Sequence, residues 1–516
     1  MGPDLSLAAA VATQALHARD GVGLVDDGGA SLTFAELDRA AAGVATTLAE
    51  AGVAPGDRIA WAGRNDPGLV LTMLAAQRLG AVFVPLSFRA TPPEVAAVVE
   101  VCGARVVVGL EAATPQLAQL PTSVARLVWG PGLVSETRTA HRPAAPDDLA
   151  LLPHSSGTSG RPKAVMLSHA NLWWSARNLE AVLGLDRTDV TLAVAPLFHV
   201  GGLNCFTMAT LARGGTVLLR ETFDPVRTLA DLTSHVTTVF GVPAMYEAVA
   251  RLPEFASADL SGVRAAVVGG AAVRPQLLEA YRDHGLALLP SWGMTEAAPS
   301  GTLLPAGWVA RKPYSVGLPL PYLRVELHDP DTDALVTVPA APGEMWVSGP
   351  QVTAGYWRDR AATEDALRHG WLRTGDLATW DDDGCLRLVG RLCEIVNSGG
   401  EKICPGEVET ALAPLVERYD CELVVVGIPD PTWGEVLVAV LQPGPTAPPS
   451  LDEVRDVGGA SLARFKLPKH LVIAEQLPRT ASGKVDRRAV RTLAAGRLAG
   501  QSRPDGGVIA GAVRHG

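Results

Sequence analysis

Lysine is scarce in this chain of 516 residues: only Lys163, Lys312, Lys402, Lys466, Lys469 and Lys484 occur, and arginine supplies the rest of the positive charge. A lysine that persists against such a bias marks a place where a compact ammonium serves better than a planar guanidinium. Positive charge is also short overall. The formal net charge is -10 and no long basic run occurs, which argues against nucleic acid or an anionic membrane face as a partner. The six cysteines (Cys102, Cys205, Cys385, Cys393, Cys404 and Cys421) show neither metal-ligand spacing nor a disulfide framework. They read as reduced thiols of a cytoplasmic protein. No apolar run of about 18 residues occurs, so no membrane span is expected. The first twenty residues lack a basic leader and an apolar core, so no signal peptide is expected. No internal repeat is visible.

Apolar residues make up 47% of the chain, enough for a large core rather than a disordered chain. At roughly 100–200 residues per domain, the length suggests two to four domains. Residues 33–52 read as an amphipathic helix capped by Thr33, with Glu36 completing a capping box. A strand at 58–62, a helix at 67–79, a strand at 81–85, a helix at 92–101 and a strand at 104–109 follow. This alternation is α/β, with strands covered on both faces, and it resumes over 161–290. Residues 113–147 read as a surface connection. Residues 321–390 change to short strand-like runs separated by Gly, Pro and Asp turns, which predicts a β-rich subdomain. A smaller unit begins near 391, with a helix at 406–418 and strands at 422–429 and 470–478. The tail after 495 reads as flexible.

One segment carries chemistry on its face. Residues 154–163, HSSGTSGRPK, place serines, a threonine and glycines ahead of a lysine. Glycine lets the backbone wrap an anion, hydroxyls and amides donate to its oxygens, and Lys163 neutralises charge. The competing reading is an ordinary Ser/Gly turn. The spacing is not that of a GxxxxGK[ST] loop.

This segment, followed in order by PLFHVGG (196–202), VVGGAAV (267–273), WGMTE (292–296), VGLPLP (316–321), GEMWVSGP (343–350), GYW (355–357), GWLRTGDLA (370–378), GRLCEIVNSGGEKICPGEVE (390–409), VVGIPDPTWGE (425–435) and LPRTASGKVDR (477–487), resembles the adenylate-forming superfamily of acyl-CoA synthetases, adenylation domains and luciferases. The resemblance implies a large multi-subdomain N-terminal domain over 1–391, with its β-rich subdomain near 321–390. A small mobile α+β C-terminal domain would cover 392–495 after a hinge near Cys393, with a tail over 496–516.

It also implies roles. Ser155, Ser156, Gly157, Thr158, Ser159, Gly160 and Lys163 would hold the phosphates of ATP. Trp292 would stack beside adenine, or be a core tryptophan at a strand end. Thr295 would contact phosphate oxygens and Glu296 would hold Mg²⁺, a hard cation that takes oxygen ligands. Asp376 would accept from the ribose hydroxyls, with Arg391 assisting. Lys484 would bridge the attacking carboxylate and the α-phosphate, stabilising charge that builds up in the transition state. His199, Gly201, Gly269, Gly270, Ala271 and Gly293 would line the acyl pocket, with His199 near the reacting groups. Gly400 and Glu401 would serve the second half-reaction after rotation about Cys393. Lys402 would meet a phosphate or be a surface lysine.

The implied reaction is attack of a carboxylate on ATP to give acyl-AMP and pyrophosphate, then transfer to coenzyme A. An aliphatic or aromatic acid is favoured, because no partner for a second carboxylate or an amino group stands beside the pocket segments. Two competing readings remain: an acyl-AMP ligase that loads a separate carrier protein, and a non-catalytic nucleotide- or acyl-binding protein. Ala164, Trp292 and Cys393 depart from the family pattern and feed the second. The family contains both monomers and homodimers.

Overall fold

Thr33 opens the first long helix, Phe34–Glu50, with both halves of a capping box in place: the Glu36 carboxylate accepts from the Thr33 amide at 2.8 Å, and the Glu36 amide donates to Thr33 Oγ1 at 3.2 Å. Asp66 caps the next helix, Pro67–Leu79, with proline at its first position, where a missing N–H costs nothing. The computed structural model describes residues 2–155, 162–338, 340–398, 401–431, 433–480 and 484–500. Among these residues no helix is long and apolar enough to cross a membrane.

The chain divides into two compact units, Met1–Thr374 with Thr379–Leu388, and Gly375–Ala378 with Val389–Gly516. In the large unit two mainly parallel sheets are stacked with helices. The six-stranded sheet has the order Leu167–Ser168, Leu149–Leu151, Val82–Leu86, Arg58–Ala62, Ala104–Gly109, Ala125–Val128. The seven-stranded sheet has the order Leu288–Ser291, Ala265–Gly269, Thr238–Gly241, Val190–Ala193, Thr216–Leu219, Val22–Val25, Ser31–Thr33. One core cluster holds the helices Leu7–His17, Phe34–Glu50 and Pro67–Leu79 together with side chains of both sheets. A second joins the seven-stranded sheet to helices Pro225–Leu232, Pro243–Ala250 and Pro275–Asp283, and a third joins the six-stranded sheet to Pro92–Cys102. Apolar burial at about 25 cal/mol per Å² is what holds such layers together.

The β-rich stretch forms a five-stranded sheet from Arg324–His328, Gly343–Ser348, Trp371–Trp380 and Leu367–Arg368 in that order, with Leu386–Arg391 paired to Trp371–Trp380. In the small unit, strands Glu422–Asp430 and Gly434–Gln442 form a long antiparallel ladder. One face packs on helices Pro405–Ala411, Ala413–Tyr419 and Leu451–Gly459, and the other on Arg487–Gly500.

Two expected elements are shorter than the sequence suggested. The helix expected over 406–418 is two, broken at Leu412. Pro414 supplies no N–H, and its ring crowds the carbonyl one turn earlier. The strand expected over 470–478 ends at Ile473, where its parallel pairing with Leu441 ends. Beyond it the Leu477 amide donates to the Gln442 side chain instead of a strand.

Candidate active site

In the seven-stranded sheet the chain leaves Val190–Ala193 for a neighbour on one side, Thr216–Leu219. It then returns to pair on the other side through Thr238–Gly241. A parallel sheet that reverses its winding in this way opens a crevice beyond the carboxyl ends of its strands. His199 and Gly201 lie just past one of the two strands at that point, and Phe240 and Gly241 end the other. A Cβ at Gly201 would stand 2.8 Å from the Phe240 ring, so only glycine lets these segments meet. The half-buried His199 ring lies 4.2 Å from that of Phe198, centroid to centroid, and Phe198 meets Phe88 edge-on at 5.4 Å. On the next strand Gly269 is buried against the Ser291 carbonyl, while Gly270, with a left-handed φ of 84°, and Ala271 face solvent.

The last strand of that row runs into the turn 292–300. Trp292 is buried with its ring against Gly301. Gly293 pairs with Ser300, and a Cβ there would sit 2.1 Å from the Pro299 carbonyl oxygen. Ala298 holds a left-handed φ of 56°, a conformation an alanine adopts only when its surroundings impose it. Buried amides do so here. Asn204 donates to the Ala298 carbonyl. Gln351, fully buried, donates to the carbonyls of Ala297 and of Ser300, the latter at 2.6 Å, and accepts from Asn178. Asn178 in turn accepts from the Tyr322 amide at 2.8 Å. Breaking one such link leaves a buried polar group unsatisfied, at a cost of about 1–3 kcal/mol. The turn that carries Thr295 and Glu296 is therefore fixed from behind.

Glu296 is buried, and its Oε1 accepts from the Tyr356 hydroxyl at 2.8 Å. Burial and the Glu296 carboxylate push the Tyr356 phenol well up, so it stays protonated and donates. The Lys163 ammonium lies 5.0 Å over the Tyr356 ring, within cation–π range. Lys163 and Ser155 face each other across a short antiparallel pair that brackets the Ser/Gly segment. Of the residues expected to hold phosphate, Ser156, Gly157, Thr158, Ser159 and Gly160 lie outside the described residues, as do the side chain of Ser155 and, in the small unit, Gly400 and the side chains of Glu401 and Cys393. Among the described residues no cluster of three or more His, Cys, Asp or Glu side chains could hold a metal by itself. A single buried carboxylate with one oxygen still able to accept suits Mg²⁺ carried in on nucleotide phosphates, since that ion keeps phosphate and water ligands beside one or two carboxylates.

The small unit gathers the other expected nucleotide residues. Arg391 Nε lies 2.8 Å from Asp376 Oδ1; Asp376 is buried, whereas the Arg391 side chain is 55% exposed. The Thr480 amide donates to the Lys484 carbonyl at 2.7 Å. Three residues on, Arg487 starts the last helix and binds Glu409 at 2.6 Å and Glu394 at 3.3 Å. Lys484 reaches solvent, yet the surrounding protein and then the Arg391 charge hold its pKa below the ordinary lysine value, with the Asp376 carboxylate opposing them.

The structure thus brings together His199, Gly201 and the 269–271 run along one sheet edge. It joins Glu296 to Lys163 through Tyr356, and Asp376 to Arg391 with Lys484 in their field. Sequence reasoning gave Tyr356, Phe240, Gln351, Asn178 and Asn204 no part. For Tyr356 the signal was present, because it is the tyrosine of the quoted GYW block.

A model of the AMP-binding enzyme family matches residues 11–357, and a model of the AMP-binding enzyme C-terminal domain matches residues 407–484. A feruloyl-CoA synthase from Amycolatopsis is 41% identical over 473 residues, covering 90% of this chain and 95% of that protein. An indoleacetate–CoA ligase from Aromatoleum aromaticum is 35% identical over 482 residues, covering 90% and 93%. The crystal structure of ATP-bound MatB from Rhodopseudomonas palustris superposes with a TM-score of 0.87 at 28% identity, covering 95% of this chain and 99% of that one.

Proposed function

The chain belongs to the AMP-binding enzyme family as an AMP-forming acid–thiol ligase, and we propose that its acid is a monocarboxylic acid with an aromatic or aliphatic body, aromatic by preference. The observation that carries this reading is the edge of the seven-stranded sheet. Phe198, His199, Gly201, Phe240, Gly269, Gly270 and Ala271 offer it aromatic rings and small residues, and none is an arginine, lysine, aspartate or glutamate that would pair with a second charge. Apolar walls with few polar groups select an apolar ligand body. Feruloyl and indoleacetate, the acids in the names of two relatives, are of that kind.

In the first half-reaction a carboxylate oxygen of the acid bonds to the α-phosphorus of ATP as the bond to pyrophosphate breaks. Positioning and electrostatics do most of such work, so no protein nucleophile is needed. Lys484 lies against the charge that develops between the two anions, and Thr295 donates to the adenylate oxygens. Asp376 accepts from the ribose hydroxyls with Arg391 beside it. Lys163 and the Ser/Gly segment from Ser155 to Gly160 hold the departing phosphates, and Glu296 holds Mg²⁺. When bound, the ion supplies positive charge to the phosphate oxygens. In the second half-reaction the thiolate of coenzyme A attacks the carbonyl of the mixed anhydride and AMP leaves.

The test is pyrophosphate release with ATP and Mg²⁺ over aliphatic, aromatic, dicarboxylic and amino acids, with and without CoA, with product masses read. Aromatic monocarboxylates should give the highest kcat/KM and an acyl-CoA product. A dicarboxylate or an amino acid as the best substrate would overturn the reading, and adenylate that ignores CoA would indicate a carrier-protein thiol as acceptor. A narrower test addresses the pocket wall. Gly201→Ala puts a methyl where the Phe240 ring stands, so kcat/KM for the preferred acid should fall about tenfold or more, the cost of overpacking by 1–3 kcal/mol. The KM for ATP should not move. An unchanged acid profile in this variant would remove Gly201 and Phe240 from the pocket.

A further inference from the structure

We propose that Tyr356 is a positioning residue that orients the Glu296 carboxylate, committing Oε1 to its own hydroxyl and directing the other oxygen to the metal ion of the nucleotide. The inference rests on the reading of Glu296 as the metal-holding carboxylate and adds a residue to it.

The terminal torsion of a glutamate is broad, so a carboxylate with no fixed donor samples many orientations. Glu296 is held at both ends by one short segment. The Thr353 amide donates to its carbonyl at 2.8 Å, and the Tyr356 hydroxyl donates to its Oε1 at 2.8 Å. Tyr356 is itself locked. Its amide donates to Thr363 Oγ1 at 2.9 Å, it bridges Val165, and its neighbours Gly355 and Trp357 pair with Met166 and Ala164. The segment that fixes this tyrosine, Ala164 to Met166, therefore follows directly on Lys163, whose ammonium lies over the same ring. A ring needed only for packing would not place its hydroxyl on a buried carboxylate. A neutral donor also leaves the carboxylate its full negative charge, which an arginine or lysine in that place would cancel.

The test uses the full-length protein, with Mn²⁺ standing in for Mg²⁺ and free Mn²⁺ read by electron paramagnetic resonance in the presence of ATP. Tyr356→Phe keeps the ring and its packing, so the protein should still fold, with a melting temperature lowered by no more than a few degrees for the donor lost from a buried carboxylate, and metal-free ATP binding should stay at its wild-type value. Mn²⁺ affinity of the enzyme–ATP complex should fall about tenfold, the scale of one hydrogen bond to a charged group. The Mg²⁺ concentration for half-maximal pyrophosphate release should rise to match. In a Glu296→Gln background, adding Tyr356→Phe should change Mn²⁺ affinity by less than about twofold, because the two act as one unit. Wild-type Mn²⁺ affinity in Tyr356→Phe overturns the proposal, and so does a double variant whose losses multiply. Unchanged Mn²⁺ affinity in Glu296→Gln alone would instead sink the reading of Glu296, a result the single tyrosine variant does not produce.

Discussion

Replacing Lys484 by alanine should lower acid-dependent ATP–pyrophosphate exchange by roughly three orders of magnitude, the upper range for loss of one aimed donor. Thioester formation from supplied acyl-AMP should change by no more than about threefold, since an interaction made only in the first transition state is absent from the second. The first step brings two anions together and adds charge at phosphorus. The second sends a thiolate to a carbonyl and releases AMP, with no such meeting of anions at the α-phosphate. Equal loss in both steps would place Lys484 in general binding rather than in adenylation. The same lysine sets a pH limb. Its ammonium must be charged to work, and its pKa is held below the ordinary lysine value by the surrounding protein and by Arg391. The adenylation rate should therefore fall as pH rises through that lowered pKa, while the thioester step from acyl-AMP lacks this limb. Arg391→Gln removes a repelling charge, raises the Lys484 pKa and should move the limb to higher pH.

Much of this architecture was legible because local signals and the hydrophobic pattern agree. Helix Phe34–Glu50 begins at its capping box, and strands Arg58–Ala62 and Ala104–Gly109 are apolar runs bounded by turn residues. The failures have local causes too: Pro414 divides a helix whose apolar pattern runs on, and Ile473 is the last strand residue because its partner strand ends. In the site, residues with distinctive chemistry were visible and the residues that hold them were not. Glu296 and Lys484 stand in recognisable blocks. Gln351 and Asn178 are single amides whose partners lie 54 and 173 positions away, and no sequence period links such pairs. Gly201 stands in the quoted PLFHVGG block, but its partner Phe240 stands in none, and only the fold shows that ring filling the space a Cβ at Gly201 would take. Small and amide residues acquire a role only through what folding places against them, whereas a lone lysine in a lysine-poor chain already suggests one.

Asp376→Ala should weaken ATP binding about a hundredfold, if each of two ribose hydroxyls loses a hydrogen bond to a charged acceptor worth about 1.5 kcal/mol. The fold should survive. Arg391, a partner left behind, has a side chain 55% exposed, so water solvates its charge and no uncompensated charge of that pair is left buried. Binding of 2′-deoxy-ATP separates a ribose contact from a diffuse electrostatic effect. The wild-type enzyme should bind it more weakly than ATP, and Asp376→Ala should bind the two alike. Retained discrimination in the variant would remove Asp376 from the ribose, whatever happens to the affinity for ATP itself. The substitution also reaches Lys484. Asp376 opposes the lowering of that lysine's pKa, so its removal lowers the pKa further and fewer lysines are charged at a given alkaline pH. The alkaline limb of adenylation should then move to lower pH, opposite to its movement in Arg391→Gln. One carboxylate would thus govern both how tightly the nucleotide is held and over what pH range the lysine beside it can act.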